Sequence, residues 1–164
     1  GWLHDNRDKH NYTYDEITIG QKASYTKEIQ EKDIQLFAAV SGDVNPVHLD
    51  AEFAAGTPFK ERIAHGMLTG AIISAALALE LPGPGTIYLG QTLRFRLPVK
   101  IGDTVTVQLE VTDKRDDKKF VTLDCKAVNQ AGKTVASGIA EVMAPAEKMS
   151  IPRPSVPVVE VRAY

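Results

Sequence analysis

Hydrophobic and polar residues alternate along the second half of the chain, in the stretches 86–97, 104–112, 120–128 and 134–143. A period of two is typical of β-strands that have one buried and one solvated face. Short segments rich in Gly, Asp and Lys separate the stretches and predict tight turns, so we expect a largely antiparallel sheet. In the first stretch the alternation places a set of apolar residues on one face: Ile87, Leu89, Leu93, Phe95 and Leu97.

The first half of the chain has the residue spacing of helices instead. Residues 32–40 carry apolar side chains at positions i, i+3 and i+4, with Asp33 as a candidate N-cap. Residues 64–81 are rich in Ala and Leu and apolar nearly all round, which predicts a helix that is buried on most sides. A strand over residues 24–29 and a short helix over residues 50–55 complete the prediction. Since a sheet with one apolar face needs a partner layer, we expect an α+β fold in which a curved antiparallel sheet of about five or six strands wraps one long helix.

Both ends of the chain lack a hydrophobic period. Residues 1–14 are polar and aperiodic, and we expect a disordered tail there. Residues 146–164 are rich in proline, which predicts a tail or a linker. The expected domain therefore spans residues 15–145.

Composition and charge narrow the classes of partner. The chain of 164 residues has a formal net charge of −2 and no cluster of basic residues, so we expect no nucleic-acid partner. Its longest apolar run, residues 67–81, is shorter than the roughly 20 residues that span a bilayer, so we expect no membrane partner. The single cysteine, Cys125, excludes an internal disulfide and favours a reducing, cytoplasmic location. It lies in an alternating stretch, where we expect a buried small hydrophobic residue rather than a nucleophile.

A carboxylate and an imidazole lie five residues apart in the segment D-V-N-P-V-H, residues 43–48. Pro46 disfavours helix at Asn45 and fixes its own φ at about −65°, so we expect a bent loop in which Asp43 and His48 face each other. An acid and a base on one stiff turn suit proton transfer to a small substrate. Two simpler interpretations stay open on the residues alone: Asp43 as a residue that caps its own turn, and His48 as a partly buried, hydrogen-bonded histidine.

Several sequence blocks together carry a family resemblance. The run S-G-D-V-N-P-V-H-L-D at residues 41–50 is followed by I-A-H-G-M-L at 63–68, Y-L-G-Q at 88–91, F-R-L-P-V at 95–99 and G-D at 102–103. In order and spacing, these blocks resemble the MaoC-like (R)-specific enoyl-CoA hydratases over roughly residues 17–145. The resemblance implies the hotdog fold of that family, a helix cradled by an antiparallel sheet.

The resemblance also implies roles for particular residues. Asp43 and His48 occupy the motif positions of the catalytic pair, and the backbone N–H of Gly66 is expected to bind the thioester carbonyl. Asn45 and Ser74 are candidate substrate-positioning residues. For Asn45 the alternative is an ordinary turn residue, and for Ser74 it is a hydroxyl that bonds back to a carbonyl one helical turn earlier.

Neither a metal site nor a cofactor is expected. The sequence contains no H-x-x-x-H or C-x-x-C spacing for a metal, and no glycine-rich phosphate loop after a strand. His65 is expected to be a hydrogen-bonded residue at the start of the long helix, with an indirect role at most.

The activity implied by the resemblance is the reversible addition of water to a trans-2-enoyl-CoA, which gives the (R)-3-hydroxyacyl-CoA. This is a hydro-lyase reaction of fatty acid metabolism. The expected assembly is a homodimer, because an exposed sheet edge or face is usually covered by pairing. Two alternatives stay open: a hotdog acyl-CoA thioesterase and a non-catalytic acyl-CoA-binding module. The composition of residues 144–164 is also similar to the linker of fused proteins that join such a hydratase to an acyltransferase domain of the phosphate acetyltransferase type.

Overall fold

The structure, a computed structural model that describes residues 8–162, is built on one antiparallel sheet. Five strands pair in the order β2-β4-β5-β6-β3, and the longest helix, α4, packs against them. The predicted α+β arrangement of one long helix and a sheet of five or six strands is confirmed. The elements are β1 (Lys9–His10), β2 (Lys22–Glu28), α1 (Glu31–Ser41), α2 (Pro46–Leu49), α3 (Ala51–Ala55), α4 (Gly66–Leu79), β3 (Ile87–Phe95), β4 (Thr104–Arg115), β5 (Phe120–Val128), β6 (Thr134–Met143) and β7 (Ser150–Ile151), with a 3-10 turn at Tyr14–Glu16.

The alternation in β4 and β5 places their apolar side chains in the core, as predicted. Val105, Val107 and Leu109 of β4 and Leu123 of β5 are each at most 2% exposed, while polar residues lie between them. Cys125 lies on the same buried face, and burial raises the pKa of its thiol to about 11. The prediction of a buried small residue at Cys125 is confirmed, and a thiol with a raised pKa is a poor nucleophile.

Helix α4 is shorter than the predicted range of residues 64–81, because His65 already has the extended backbone of an N-cap. One side of the helix lies in the core and carries Leu68, Ile72, Ile73, Ala76 and Leu77. The opposite side, which includes Met67 at 59% exposure, is uncovered in the single chain. No helix within residues 8–162 is long and apolar enough to cross a membrane.

Strand β3 differs from its predicted pattern. Its register with β6 shifts between Tyr88 and Gly90, so that the residue between them, Leu89, is an extra residue in a β-bulge. Directly opposite residues of an antiparallel pair share a face, and Tyr88 lies opposite the buried Val142. Tyr88 therefore takes the inward position, and the prediction that Ile87 shares a face with the rest of the apolar set is wrong. An alternation pattern cannot predict where a bulge interrupts it.

The segment of residues 43–48 also differs from prediction, because its last residues are helical. Asn45 is the N-cap of α2, and its side-chain oxygen accepts a hydrogen bond from the Val47 N–H at 3.4 Å. Pro46 occupies the first helical position, where its fixed φ and missing N–H are tolerated. The prediction of a bent loop over the whole segment was wrong beyond Asn45, and His48 is presented from a helical turn.

The start of α1 is another corrected detail. The N-cap is Gln30, and Asp33 is the third helical residue, whose carboxylate accepts the Gln30 N–H at 2.8 Å. The two residues form a capping box, so the prediction of Asp33 as the N-cap was wrong by three positions.

Segments predicted to be tails pack onto the domain where the structure describes them. Strand β1 pairs with β7 in a small antiparallel sheet. The adjacent Asn11 is fully buried, and its side chain donates to the carbonyls of Pro84 (3.0 Å) and Glu147 (2.8 Å) and accepts from the Met149 N–H (2.9 Å). Strands of two residues have no period to detect, which explains why the sequence pattern misses them. Residues 1–7 and 163–164 lie outside the described part of the chain, and the domain limits of residues 15 and 145 stay a prediction.

Asn11→Ala is expected to lower the free energy of unfolding by about 1–3 kcal/mol, because it leaves buried polar partners without a hydrogen bond. Urea denaturation of the variant measures this loss. Gln108→Ala is the control, since Gln108 is exposed and its side chain makes no hydrogen bond to residues 8–162. Equal stability of the two variants would show that Asn11 does not join the chain termini to the domain.

Candidate active site

Asp43 and His48 lie close together at the junction of α1 and α2. Gly42 ends α1 with a left-handed conformation, φ 80°, which turns the chain sharply before Asp43. One carboxylate oxygen of Asp43 accepts the Asn45 N–H at 3.2 Å. Its other oxygen, Oδ2, lies 4.0 Å from Nε2 of His48. The two side chains therefore face each other, as the sequence predicts.

The orientation of His48 leaves one ring nitrogen available. Its Nδ1 lies 2.8 Å from the carbonyl oxygen of Ile63, which can only accept a hydrogen bond. The neutral ring therefore carries its proton on Nδ1 and directs the Nε2 lone pair towards Asp43. The two side chains differ in access to solvent, since that of Asp43 is 53% exposed and that of His48 is 10% exposed. A separation of 4.0 Å is too long for a direct hydrogen bond but suits one bridging water.

His65 connects this pair to the start of α4. Its Nε2 lies 2.8 Å from the carbonyl oxygen of Asp43, and its ring stacks on that of His48 with a centroid distance of 3.8 Å and an interplanar angle of 24°. The side chain is buried, and its Nδ1 has no hydrogen-bond partner within residues 8–162. Sequence reasoning predicted the hydrogen bond at the helix start but missed the stacking, because no periodicity relates positions 48 and 65.

Gly66 is the first residue of α4, directly after His65. Its N–H has no acceptor among residues 8–162, and the positive end of the helix dipole lies at the same place. A β-carbon on Gly66 would lie 2.9 Å from the ring of Phe95, so any larger residue requires that ring or the helix start to shift. An adjoining cavity of about 250 Å³ is lined by Gly66, His65, Thr69 and Phe95 among others. This helix start is suited to bind an oxygen that carries negative charge.

The two candidate positioning residues lie apart from these contacts. The Asn45 side chain caps α2 and makes no hydrogen bond to Asp43 or His48. Ser74 lies on the half-exposed side of α4, seven residues after Met67 and hence on the same face. Its hydroxyl makes no hydrogen bond to residues 8–162, so the back-bonding interpretation is wrong, and Ser74 does not line the cavity beside Gly66.

Asp43, His48 and His65 each offer a ligand atom, and these atoms lie within 4.8 Å of one another. The sequence spacing did not reveal this cluster. A tetrahedral metal with bonds of about 2.0–2.2 Å needs its ligand atoms about 3.3 Å apart and directed at one point. Oδ2 of Asp43 and Nε2 of His48 instead lie 4.0 Å apart, and Nε2 of His65 already donates to a carbonyl. The arrangement fits an acid–base pair supported by a second imidazole better than a metal centre.

Comparison with known proteins identifies the family. Residues 15–131 match the family model described as a MaoC like domain. An (R)-specific enoyl-CoA hydratase of Rhodospirillum rubrum is 51% identical over 133 residues, which cover 81% of this chain and 92% of that protein. An (R)-specific enoyl-CoA hydratase of Aeromonas caviae is 46% identical over 129 residues, which cover 79% of this chain and 96% of that protein.

A solved structure supports the same assignment. The R-hydratase of Pseudomonas aeruginosa in its unliganded form superposes with a TM-score of 0.90 and 58% sequence identity. The match covers 95% of this chain and 100% of that chain. The predicted hotdog fold is confirmed, and the chain belongs to the MaoC-like domain family.

Proposed function

We propose that this protein is an (R)-specific enoyl-CoA hydratase, which adds water reversibly to a trans-2-enoyl-CoA and gives the (R)-3-hydroxyacyl-CoA. The observation that carries the proposal is the Asp43 carboxylate facing the His48 imidazole across 4.0 Å. His65 joins this pair to the Gly66 N–H, which has no acceptor in the part of the chain that the structure describes. The names of the relatives in Rhodospirillum rubrum and Aeromonas caviae support the same activity.

Asp43 and His48 supply the water chemistry in this proposal. One water molecule donates two hydrogen bonds, one to Oδ2 of Asp43 and one to Nε2 of His48. These two acceptors face each other. As the water oxygen bonds to C3 of the enoyl group, one of the two side chains takes a proton from it. The same proton is then delivered to C2, so that the elements of one water molecule add across the double bond.

Gly66 supplies the charge stabilisation. Attack at C3 moves electrons through C2 to the thioester oxygen, which becomes an enolate. The Gly66 N–H and the positive end of the α4 dipole are suited to bind that oxygen. One such donor typically lowers a barrier by about 3 kcal/mol.

The test is the absorbance of crotonyl-CoA at the enoyl-thioester band, with and without the protein, followed by chiral analysis of the product. We expect loss of the band and formation of the (R)-3-hydroxy product. Thiol release measured with DTNB distinguishes the thioesterase alternative, which would free coenzyme A instead. Unchanged absorbance across a range of acyl chain lengths would overturn the hydratase proposal and favour a binding module.

We also infer that the working unit is a homodimer. The inward side of β3 and the uncovered side of α4 form an apolar surface that the single chain leaves open, with Tyr88 38%, Phe95 50% and Met67 59% exposed. A second copy covering this surface would bury it, and light scattering of the purified protein tests the mass.

The free, buried Cys125 agrees with a cytoplasmic location. A fused acyltransferase domain stays a prediction from the composition of residues 144–164.

Gly66→Val is expected to lower kcat/KM for crotonyl-CoA by about 100-fold, the effect of losing one donor to the enolate oxygen. The valine side chain would overlap the Phe95 ring and occupy the space beside the amide through which the thioester oxygen must approach. Gly70→Ala is the control in the same helix, because its β-carbon would meet only the ends of two flexible side chains, Met67 at 3.1 Å and Leu93 at 3.5 Å. Full activity in a folded Gly66→Val protein would argue against the amide as the oxyanion donor.

A further inference from the structure

We propose that His65 is a positioning residue for the hydration reaction, which holds the acid–base pair and the oxyanion donor in one fixed arrangement. The inference rests on the proposed function, and it assigns to His65 more than the indirect role expected from the sequence. It is carried by the contacts of the buried His65 side chain with Asp43 and His48.

The hydrogen bond of His65 fixes Asp43 relative to the helix start. Nε2 of His65 donates to the Asp43 carbonyl oxygen at 2.8 Å, and the next peptide group supplies the Gly66 N–H. One residue therefore links the backbone that carries the carboxylate to the amide that would bind the enolate. Asp43 is otherwise exposed. Within residues 8–162 its carboxylate accepts a hydrogen bond only from the Asn45 N–H, at 3.2 Å, and its own N–H donates to the Ser41 hydroxyl at 3.1 Å. Reactions that add water at one carbon and stabilise charge three atoms away depend on such a fixed distance.

The ring of His65 restrains the imidazole of His48. The hydrogen bond from Nδ1 of His48 to Ile63 fixes one edge of that ring but leaves it free to tilt about the bond. The stacked His65 ring, 3.8 Å away, removes this freedom on one face. His65 is itself held by Phe37, whose ring centroid lies 4.9 Å away. The Nε2 lone pair of His48 is consequently kept in the direction of Asp43.

The histidine at position 65 destabilises the fold relative to an apolar ring of similar shape, so packing alone does not explain its presence. Nδ1 of His65 is buried without a partner among residues 8–162. A buried unpaired polar atom destabilises the folded state, and a phenylalanine ring at this position would not have one. The compensating feature of histidine is the Nε2–H donated to Asp43.

Three variants separate the donor from the ring. His65→Phe keeps a ring over His48 and loses the donor to Asp43. His65→Gln keeps an amide N–H near the place of Nε2, whereas the shorter His65→Asn carries its amide near the place of Nδ1. For crotonyl-CoA hydration we expect His65→Phe to lower kcat by about 10- to 100-fold with KM within about threefold, because misplacement by about 1 Å has effects of this size. We expect His65→Gln to retain at least tenfold more kcat than His65→Asn.

The melting temperature of each variant and the kcat per folded protein distinguish a positioning role of His65 from a role in stabilising the fold. His65→Phe is expected to melt at or above the temperature of the unchanged protein, so its loss of kcat would not follow from unfolding. Wild-type kcat in His65→Phe, or equal kcat in the Gln and Asn variants, would overturn the inference while leaving the hydratase proposal in place. If His65→Phe does not fold, the Gln and Asn pair decides the result. Absence of hydration by the unchanged protein would overturn both proposals together.

Discussion

Asp43→Asn and His48→Gln are each expected to lower kcat for crotonyl-CoA hydration by about 10²- to 10⁴-fold, the usual effect of removing a general acid or base. Asparagine removes the negative charge that faces Nε2 of His48 but keeps an oxygen for the Asn45 N–H. Since the Asp43 side chain is 53% exposed, this change should leave the fold intact. A single-turnover assay of the folded variants, with the fold checked by circular dichroism, measures the effect.

The histidine half of the prediction needs a companion variant. His48→Gln loses both ring nitrogens, including the Nδ1–H that bonds to the Ile63 carbonyl at 2.8 Å. His48→Asn places an amide N–H near the position of Nδ1, so it preserves this bond and removes only the nitrogen that faces Asp43. We expect His48→Asn to be the more stable of the two and to be as inactive. Recovery of hydration in His48→Asn would mean that the structural bond to Ile63 matters more than the Nε2 lone pair.

Asp50→Asn is the matched control for the carboxylate. Asp50 is exposed, lies in the same region of the chain and caps α3 by accepting the N–H groups of Glu52 and Phe53. Asparagine is an equally good N-cap, so stability and activity should both be retained. Near-wild-type hydration by a folded Asp43→Asn protein, or an equal loss in Asp50→Asn, would remove Asp43 from the catalytic pair.

The parts of the fold that could be predicted are those in which a local sequence pattern of apolar residues corresponds to one face buried in the core. Val105, Val107 and Leu109 alternate because β4 has the core on one face and solvent on the other, and the same holds for β5. Helix α4 could be predicted because Ala and Leu run through a segment that ends at prolines and glycines. In each case the residues that decide the structure are neighbours in the sequence, so a short window contains the whole signal.

The parts that could not be predicted depend on contacts between distant residues. The bulge at Leu89 is set by pairing with β6, and the β1–β7 pair is fixed by Asn11, whose partners lie more than 70 positions away. The candidate site shows the same division. The facing of Asp43 and His48 could be predicted because Pro46 stiffens a short segment. The stacking of His65 on His48 could not be predicted, because it depends on how the chain returns past His48 at Ile63.

Gly138→Ala is expected to have the largest effect on stability, a loss of at least about 3 kcal/mol in the free energy of unfolding, near the upper end for overpacking. Gly138 of β6 lies opposite Leu93 of β3. A β-carbon on Gly138 would lie 1.8 Å from the carbonyl oxygen of Thr92 and 2.7 Å from its carbonyl carbon. These are backbone atoms and cannot rotate away, so the two strands must separate or shift.

Gly90→Ala is the matched control, because Gly90 pairs with Glu141 in the same two strands and its β-carbon would meet no atom within 4 Å. We expect Gly90→Ala to change stability by less than about 1 kcal/mol, since alanine also restricts the unfolded chain. Urea denaturation of both variants gives the difference. Equal midpoints for Gly138→Ala and Gly90→Ala would show that β6 accommodates the added carbon by a backbone movement that the structure does not indicate.

The damage in Gly138→Ala should be concentrated in β3, which is an edge strand and pairs only with β6 in the five-stranded sheet. The interior strands β4 and β5 keep two neighbours each, so their amide hydrogens should stay protected from exchange while those of β3 lose protection. Because Phe95 of β3 lies against Gly66, separation of this strand also removes one wall of the cavity beside the proposed oxyanion donor. Hydration should therefore fall together with the protection of β3, and full activity in a protein whose β3 amides exchange freely would show that this wall is dispensable.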